Sequence, residues 1–176
     1  MNTQVKADPF AQLVEPSTLV IKRWLPGPVE RVWDYLADSD LRRKWLASGD
    51  MSEGAGTAFT LTWRNDDLSR PSDPRPENFP AEHSMESKVV AFDPPRQLVF
   101  TWGAGTVTFD LEPKGEKVLL TLTHTGIAER SSKGGISAGW HTHLDILVAD
   151  VSGDTASAFW SNWAKRKAEY ETRIPQ

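Results

Sequence analysis

The sequence predicts one α+β domain, an antiparallel sheet wrapped on a long helix near the C-terminus. Three observations carry this reading. Residues 57–124 hold five runs in which apolar and polar side chains alternate, most of them joined by short Gly- or Pro-containing turns. That is the pattern of consecutive antiparallel strands with one buried face. Trp140, Leu144, Leu147, Val148 and Val151 then fall on one helical face at i, i+4, i+7, i+8 and i+11. Finally, 176 residues make one domain at roughly 150 residues per domain, enough to bury a core without disulfides or metal.

Element by element, Leu19–Trp24 is short, β-branched at its centre and stopped by Pro26-Gly27, a first strand. Pro28 suits the start of a helix, where its missing N–H costs nothing. Val29, Val32, Trp33 and Leu36 follow at helical spacing, so residues 28–37 are helical. Ser39 is a candidate cap for a second short helix carrying Leu41 and Trp45. Gly54 and Gly56 precede a strand in which Phe59, Leu61 and Trp63 alternate with polar or small residues. Residues 64–80 are polar and hold four of the twelve prolines, too long and too broken for a hairpin turn. Strand 82–92 starts in clean alternation (Met85, Ser87, Val89) and loses it at Val90, which predicts a bulge. Leu98, Phe100 and Trp102 form the next strand, Val107, Phe109 and Leu111 the one after Gly103-Ala104-Gly105, and Val118 to His124 the last. The Gly- and Ser-rich stretch 126–138 reads as a connection. The long helix runs from about Trp140 to Val151 and ends at Ser152-Gly153, and a further helix spans 155–173 after Asp154. Residues 1–18 read as a flexible N-terminal arm.

Composition removes several classes of function. Net charge is −4, which gives no basic face for a nucleic acid. There is no cysteine, so thiol chemistry and thiolate metal sites are excluded. No stretch is long and apolar enough to span a membrane, and the N-terminus has no leader-like apolar core, so the expected location is cytoplasmic. No nucleophile elbow or phosphate-binding glycine loop is present. His141 and His143 are two apart on a helix and point some 200° apart, which rules out a shared metal; His141 and Asp145, at i and i+4, read as a pair on the solvent face. Glu82, Glu86, Glu112 and Asp110 read as a solvated outer face. No metal or cofactor is expected.

The unusual number is eight tryptophans beside two tyrosines. Trp33, Trp45 and Trp140 read as anchors of helices on the sheet. Trp63 and Trp102, at strand ends on the inner face, have two readings, core or cavity wall. His124 closes an alternating apolar face as either a hydrogen-bonded core residue or a polar handle for a ligand. Arg23 would add charge if its strand turns it inward. Phe159, Trp160 and Trp163 give the last helix an apolar side, packed on its own domain or open to a second copy as a homodimer contact.

Several runs carry a resemblance. Pro26-Gly27-Pro28-Val29-Glu30-Arg31-Val32-Trp33 resembles the start of the first helix in the START-type helix-grip superfamily (SRPBCC), and more narrowly in bacterial homologues of the activator of the heat-shock-protein-90 ATPase. Leu41 to Trp45 is similar to that family's second helix. Asp93-Pro94-Pro95-Arg96-Gln97-Leu98-Val99-Phe100-Thr101-Trp102 resembles its Pro-Pro turn and the strand that ends in Trp. Thr121-Leu122-Thr123-His124 and Gly139-Trp140 are similar to the end of its last strand and the start of its long helix. The resemblance covers residues 19–151. The loop 64–80 and the helix 155–173 depart from it.

The resemblance implies a helix-grip domain over 19–153, with residues 154–176 as a helical extension. A curved sheet gripping one helix leaves a space that inward side chains either fill or line. The expected ligand cavity is Trp63, Met85, Phe100, Trp102, Phe109, Leu122, His124 and Trp140. The expected function is non-catalytic binding of a hydrophobic, lipid-like small molecule. Two alternatives are a contact with a heat-shock chaperone, implied by the resemblance, and a cavity enzyme of cyclase or hydratase type using His124.

Overall fold

A computed structural model describes residues 10–15, 17–127 and 130–173. Seven antiparallel strands form one sheet: β1 (Gln12–Glu15), β2 (Thr18–Pro26), β3 (Ala58–Trp63), β4 (His83–Asp93), β5 (Gln97–Trp102), β6 (Gly105–Lys114) and β7 (Lys117–His124). Their spatial order is β1-β2-β7-β6-β5-β4-β3. Helices α1 (Val29–Ala37) and α2 (Ser39–Arg42) follow β2, and α3 (Arg130–Ser152) and α4 (Phe159–Arg173) close the chain. The α+β helix-grip architecture is therefore the fold, with α3 as the gripped helix. No helix among the described residues is long and apolar enough to cross a membrane.

Alternation sets the sheet's two faces. Leu19, Ile21, Arg23 and Leu25 point inward along β2, and Trp24 between them is 36% exposed on the outer face. Phe59, Leu61, Trp63, Val89, Leu98, Phe100, Phe109, Leu120 and Leu122 are buried on the inner face, while Met85 and Trp102 are half-buried at one end. The bulge in β4 lies between Val89 and Ala91 and turns Val90 out to solvent. One residue inserted there shifts the register, so the alternation that fails in sequence is restored in space.

Several expectations are corrected. Residues 1–18 are not a loose arm throughout: Gln12–Glu15 pair with β2 as an edge strand, although residues 1–9 lie outside the described residues. The stretch 126–138 is not simply a connection, because α3 begins at Arg130. Gly134, Gly135 and Gly139 lower its intrinsic helix propensity, and burial on two sides, against the sheet and α4, supplies what propensity lacks. The third concerns His141. It is 1% exposed and far from solvent, because α4 covers that side of α3.

The cover is pinned by a polar cluster. Asp145 accepts from Arg23 at 3.1 Å and lies 3.4 Å from His141 Nε2 and 3.8 Å from Arg166. Arg23 thus turns inward and is paired with α3. The Tyr170 hydroxyl bonds His141 Nδ1 at 2.8 Å and accepts from the Ala11 backbone N–H at 2.7 Å. Phe10 packs edge-on against both rings, and the Arg173 guanidinium lies 3.5 Å over Phe10. Phe159, Trp160 and Tyr170 are buried and Trp163 is half-buried, so much of the apolar side of α4 packs within its own chain.

At the opposite corner, Asp38 caps α2 by accepting from the Asp40 and Leu41 backbone N–H groups, at 2.9 and 3.1 Å. Ser39, expected as the cap, is instead the first helical residue and accepts from Gly49 N–H at 2.9 Å.

Candidate functional site

The open end of the grip carries a pocket of about 540 Å³, within the range of small-molecule sites. Its floor is the end of the sheet, with Trp63 from β3, Met85 from β4 and Trp102 from β5. Its inner wall is one face of α3, formed by Ile136, Gly139, Trp140 and His143 at i, i+3, i+4 and i+7, with Gly135 beside them. Its roof is Phe159, Trp160 and Trp163 of α4 together with Asn65, Phe79 and Pro80 of the long loop.

The walls are mainly rings in edge-on or tilted contact. Trp102 lies 5.2 Å from Trp63 and 5.3 Å from Trp140, centroid to centroid. Phe79 lies 5.5 Å from Trp160 and 5.0 Å from Trp163. Such pairs hold each other at fixed angles. The lining contains no Lys, Arg, Asp or Glu. A neighbouring cleft of about 680 Å³ is different: Arg43, Lys44, Arg64, Asp67, Glu82 and Asp150 put both signs of charge on it, and no aromatic residue lines it.

Loop and terminal helix form one roof. Trp160 Nε1–H donates to Asp66 at 2.9 Å, Arg70 to the Ala156 carbonyl at 2.9 Å, and the Ser161 backbone N–H to Asp73 at 3.1 Å. Asp73 places its carboxylate on the first turn of α4, where free N–H groups and the helix dipole favour a negative charge.

Of the residues expected to line a cavity, Trp63, Met85, Trp102 and Trp140 surround this pocket. Phe100, Phe109 and Leu122 do not. Each is 0% exposed and lies in the core beneath, with Phe109 centred 6.0 Å from both Phe100 and Trp140. They sit mid-strand, where α3 presses on the sheet, and the space opens only at the strand ends. His124 is also set back. Its Nδ1 accepts from Trp140 Nε1–H at 2.9 Å, its ring packs 5.1 Å from Trp102, and it orients two wall residues without lining the pocket.

The pocket's buried polar side chain is His143, which single-residue reasoning passed over. It is 6% exposed, its Nδ1 lies 2.7 Å from the Trp45 carbonyl, and its ring meets Phe159 at 4.9 Å. The signal was present as the stripe 136, 139, 140, 143. With 126–138 read as a connection, that stripe lost its first half. His83, exposed beside Trp63 at 5.6 Å, and Asn65 also line the pocket, the Asn65 side-chain oxygen buried and without a hydrogen-bond partner.

Burial pushes His124 and His143 down to about 4 from the ordinary 6.5 by disfavouring the charged ring, partly offset in His143 by its bond to the Trp45 carbonyl. Both are neutral at pH 7. The unfolded chain binds their protons below about 6.5 and the folded chain does not. Stability is therefore whole above 6.5 and falls as pH drops toward 4. Urea midpoints are expected to be flat from pH 8 to 7 and to decline below 6.5, with His124 and His143 still neutral at pH 5 by NMR titration. Ordinary titration of both would contradict this.

Comparison with known proteins follows the same outline. A protein from Bordetella parapertussis, solved by NMR, matches with a TM-score of 0.80 at 31% identity, covering 100% of this chain and 97% of that one. CalU16 from Micromonospora echinospora matches with a TM-score of 0.63 at 18% identity, over 88% and 86% of the two chains. A protein from Enterococcus faecalis gives 0.67 at 16% identity, over 94% and 91%. The last two are likenesses of fold. No curated protein matches in sequence. The family model described as activator of Hsp90 ATPase homolog 1-like protein matches residues 26–151, ending before α4. Match and fold agree, and the chain belongs to the activator of Hsp90 ATPase homolog 1-like family.

Proposed function

We propose that the protein is a non-catalytic binding protein whose pocket holds an apolar small molecule. The observation that carries this is the ring-lined, charge-free space at the mouth of the grip, roofed by the loop and by α4. A catalytic role is poorly supplied. His143 is the buried base in the lining, and at about 4 it is too weak for efficient proton abstraction near neutrality.

Titration with a lipophilic library is expected to quench tryptophan fluorescence saturably, since Trp63, Trp102, Trp140, Trp160 and Trp163 all face the site. A ligand at a hundred times its Kd adds about 2.7 kcal/mol of stability by mass action, visible as a raised Tm. Absence of both responses across the library would remove the reading.

Family membership supports a second reading, contact with a heat-shock chaperone. Capture of the chaperone by the purified protein, with a changed ATPase rate, is its test; neither contact nor rate change would dismiss it.

A further inference from the structure

We infer that the pocket selects an uncharged aromatic ligand bearing a hydrogen-bond donor, and that His143 reads that donor through Nε2. The inference rests on the binding reading above and adds the class of ligand. Nδ1 of His143 faces a carbonyl oxygen at 2.7 Å. A carbonyl only accepts, so Nδ1 carries the ring proton and, in a neutral imidazole, Nε2 carries the lone pair. The tautomer is fixed by the backbone at Trp45, whose own Nε1–H is anchored on the Tyr35 carbonyl at 2.7 Å. Nothing among the described residues donates to Nε2, yet His143 lines the pocket. The ring is held against Phe159, so the lone pair keeps its direction before any ligand arrives.

The rest of the lining sets what can approach it. Rings on several sides favour a flat aromatic body. A carboxylate would bring a second set of lone pairs toward Nε2, with no Lys or Arg in the lining to offset its desolvation. A hydroxyl on an aromatic ring satisfies Nε2 and remains neutral. The unpartnered oxygen of Asn65 offers a second polar contact for a ligand with more than one such group.

The test compares 2-naphthol, 2-methoxynaphthalene and 2-naphthoate by calorimetry at pH 7.5 on the wild-type protein and on His143→Asn. Asparagine keeps a donor for the Trp45 carbonyl and removes Nε2. The naphthol is expected to bind the wild type about tenfold more tightly than its methyl ether, as one extra hydrogen bond allows, with the naphthoate weakest. His143→Asn is expected to erase the naphthol-to-ether difference. Equal binding of naphthol and ether, or naphthoate binding tightest, overturns the donor reading while leaving the pocket standing; failure of all three to bind overturns the aromatic class, and the wider binding reading falls only if the lipophilic library fails as well. If the variant does not fold, nitrogen NMR of wild-type His143 decides: Nε2 must report an unprotonated nitrogen that shifts with the naphthol and not with the ether.

Discussion

Arg42→Met is expected to cost about 3–5 kcal/mol of stability, because several buried carbonyls lose their donor together at about 1–3 kcal/mol each. Arg42 is 0% exposed, and among the described residues no carboxylate lies within ion-pair distance of it. Its guanidinium is held by carbonyls. Nε donates to Ala47 at 3.0 Å, Nη1 to Leu36 at 2.9 Å and Ala37 at 3.3 Å, and Nη2 to Gly49. Leu36 and Ala37 end α1, where carbonyls lack helical partners and the dipole favours a cation. Burial brings the group down to about 10, with Asp38 and Asp50 pulling the other way, so it remains charged at pH 7. Methionine replaces the apolar stem and satisfies none of the carbonyls, each worth about 1–3 kcal/mol when left buried and unpaired. Arg42→Lys restores a charge but not the planar fork, and is expected to fall between. Urea unfolding at pH 7 measures both; a loss below about 1 kcal/mol for methionine would show that the carbonyls find other partners. The effect reaches the pocket, because the segment Arg42 ties down includes Trp45, the residue that holds the His143 tautomer.

The sheet was legible because its information is local. Alternation in Phe59-Leu61-Trp63 and in Leu98-Phe100-Trp102 gives the face directly, and its failure at Val90 gives the bulge. What escaped was set by distant parts of the chain. The first turns of α3 carry Gly134, Gly135 and Gly139, and only packing on the sheet and α4 makes them helical. Missing them removed half of the stripe that includes His143. The burial of His141 depends on α4 lying across it, and no spacing within α3 records that. Loop 64–80 is visible as a long polar segment, but its bonds from Asp66 and Asp73 to Trp160 and Ser161 span some 90 residues of sequence. The aromatic surplus told that rings would gather, and two strand-end tryptophans marked the right end of the sheet. How far the space runs inward was decided by Trp140, which closes it in front of His124.

Gly139→Leu is expected to make the protein more stable and to lower affinity for an aromatic probe such as 2-naphthol at least tenfold. A Cβ built on Gly139 meets no atom within 4 Å, although the residue sits inside a long helix and lines the pocket. Glycine there costs about 1 kcal/mol of helix propensity relative to alanine or leucine. The leucine side chain would also lie among apolar rings, gaining burial while occupying the space between α3 and the sheet end. A gain of about 1 kcal/mol corresponds to a rise of roughly 2–4 °C in Tm for a chain of this size. Gly135, one turn earlier, is equally open on its Cβ side and also lines the pocket, so Gly135→Ala is expected to stabilise with a smaller loss of binding. The paired measurement is thermal unfolding and calorimetry with the same aromatic probe. Unchanged affinity in Gly139→Leu would mean that the ligand sits elsewhere, and a lower Tm would mean that the space is filled when the protein folds. Two glycines facing one pocket from a helix that would be firmer without them exchange stability for room, the trade that the proposed binding role calls for.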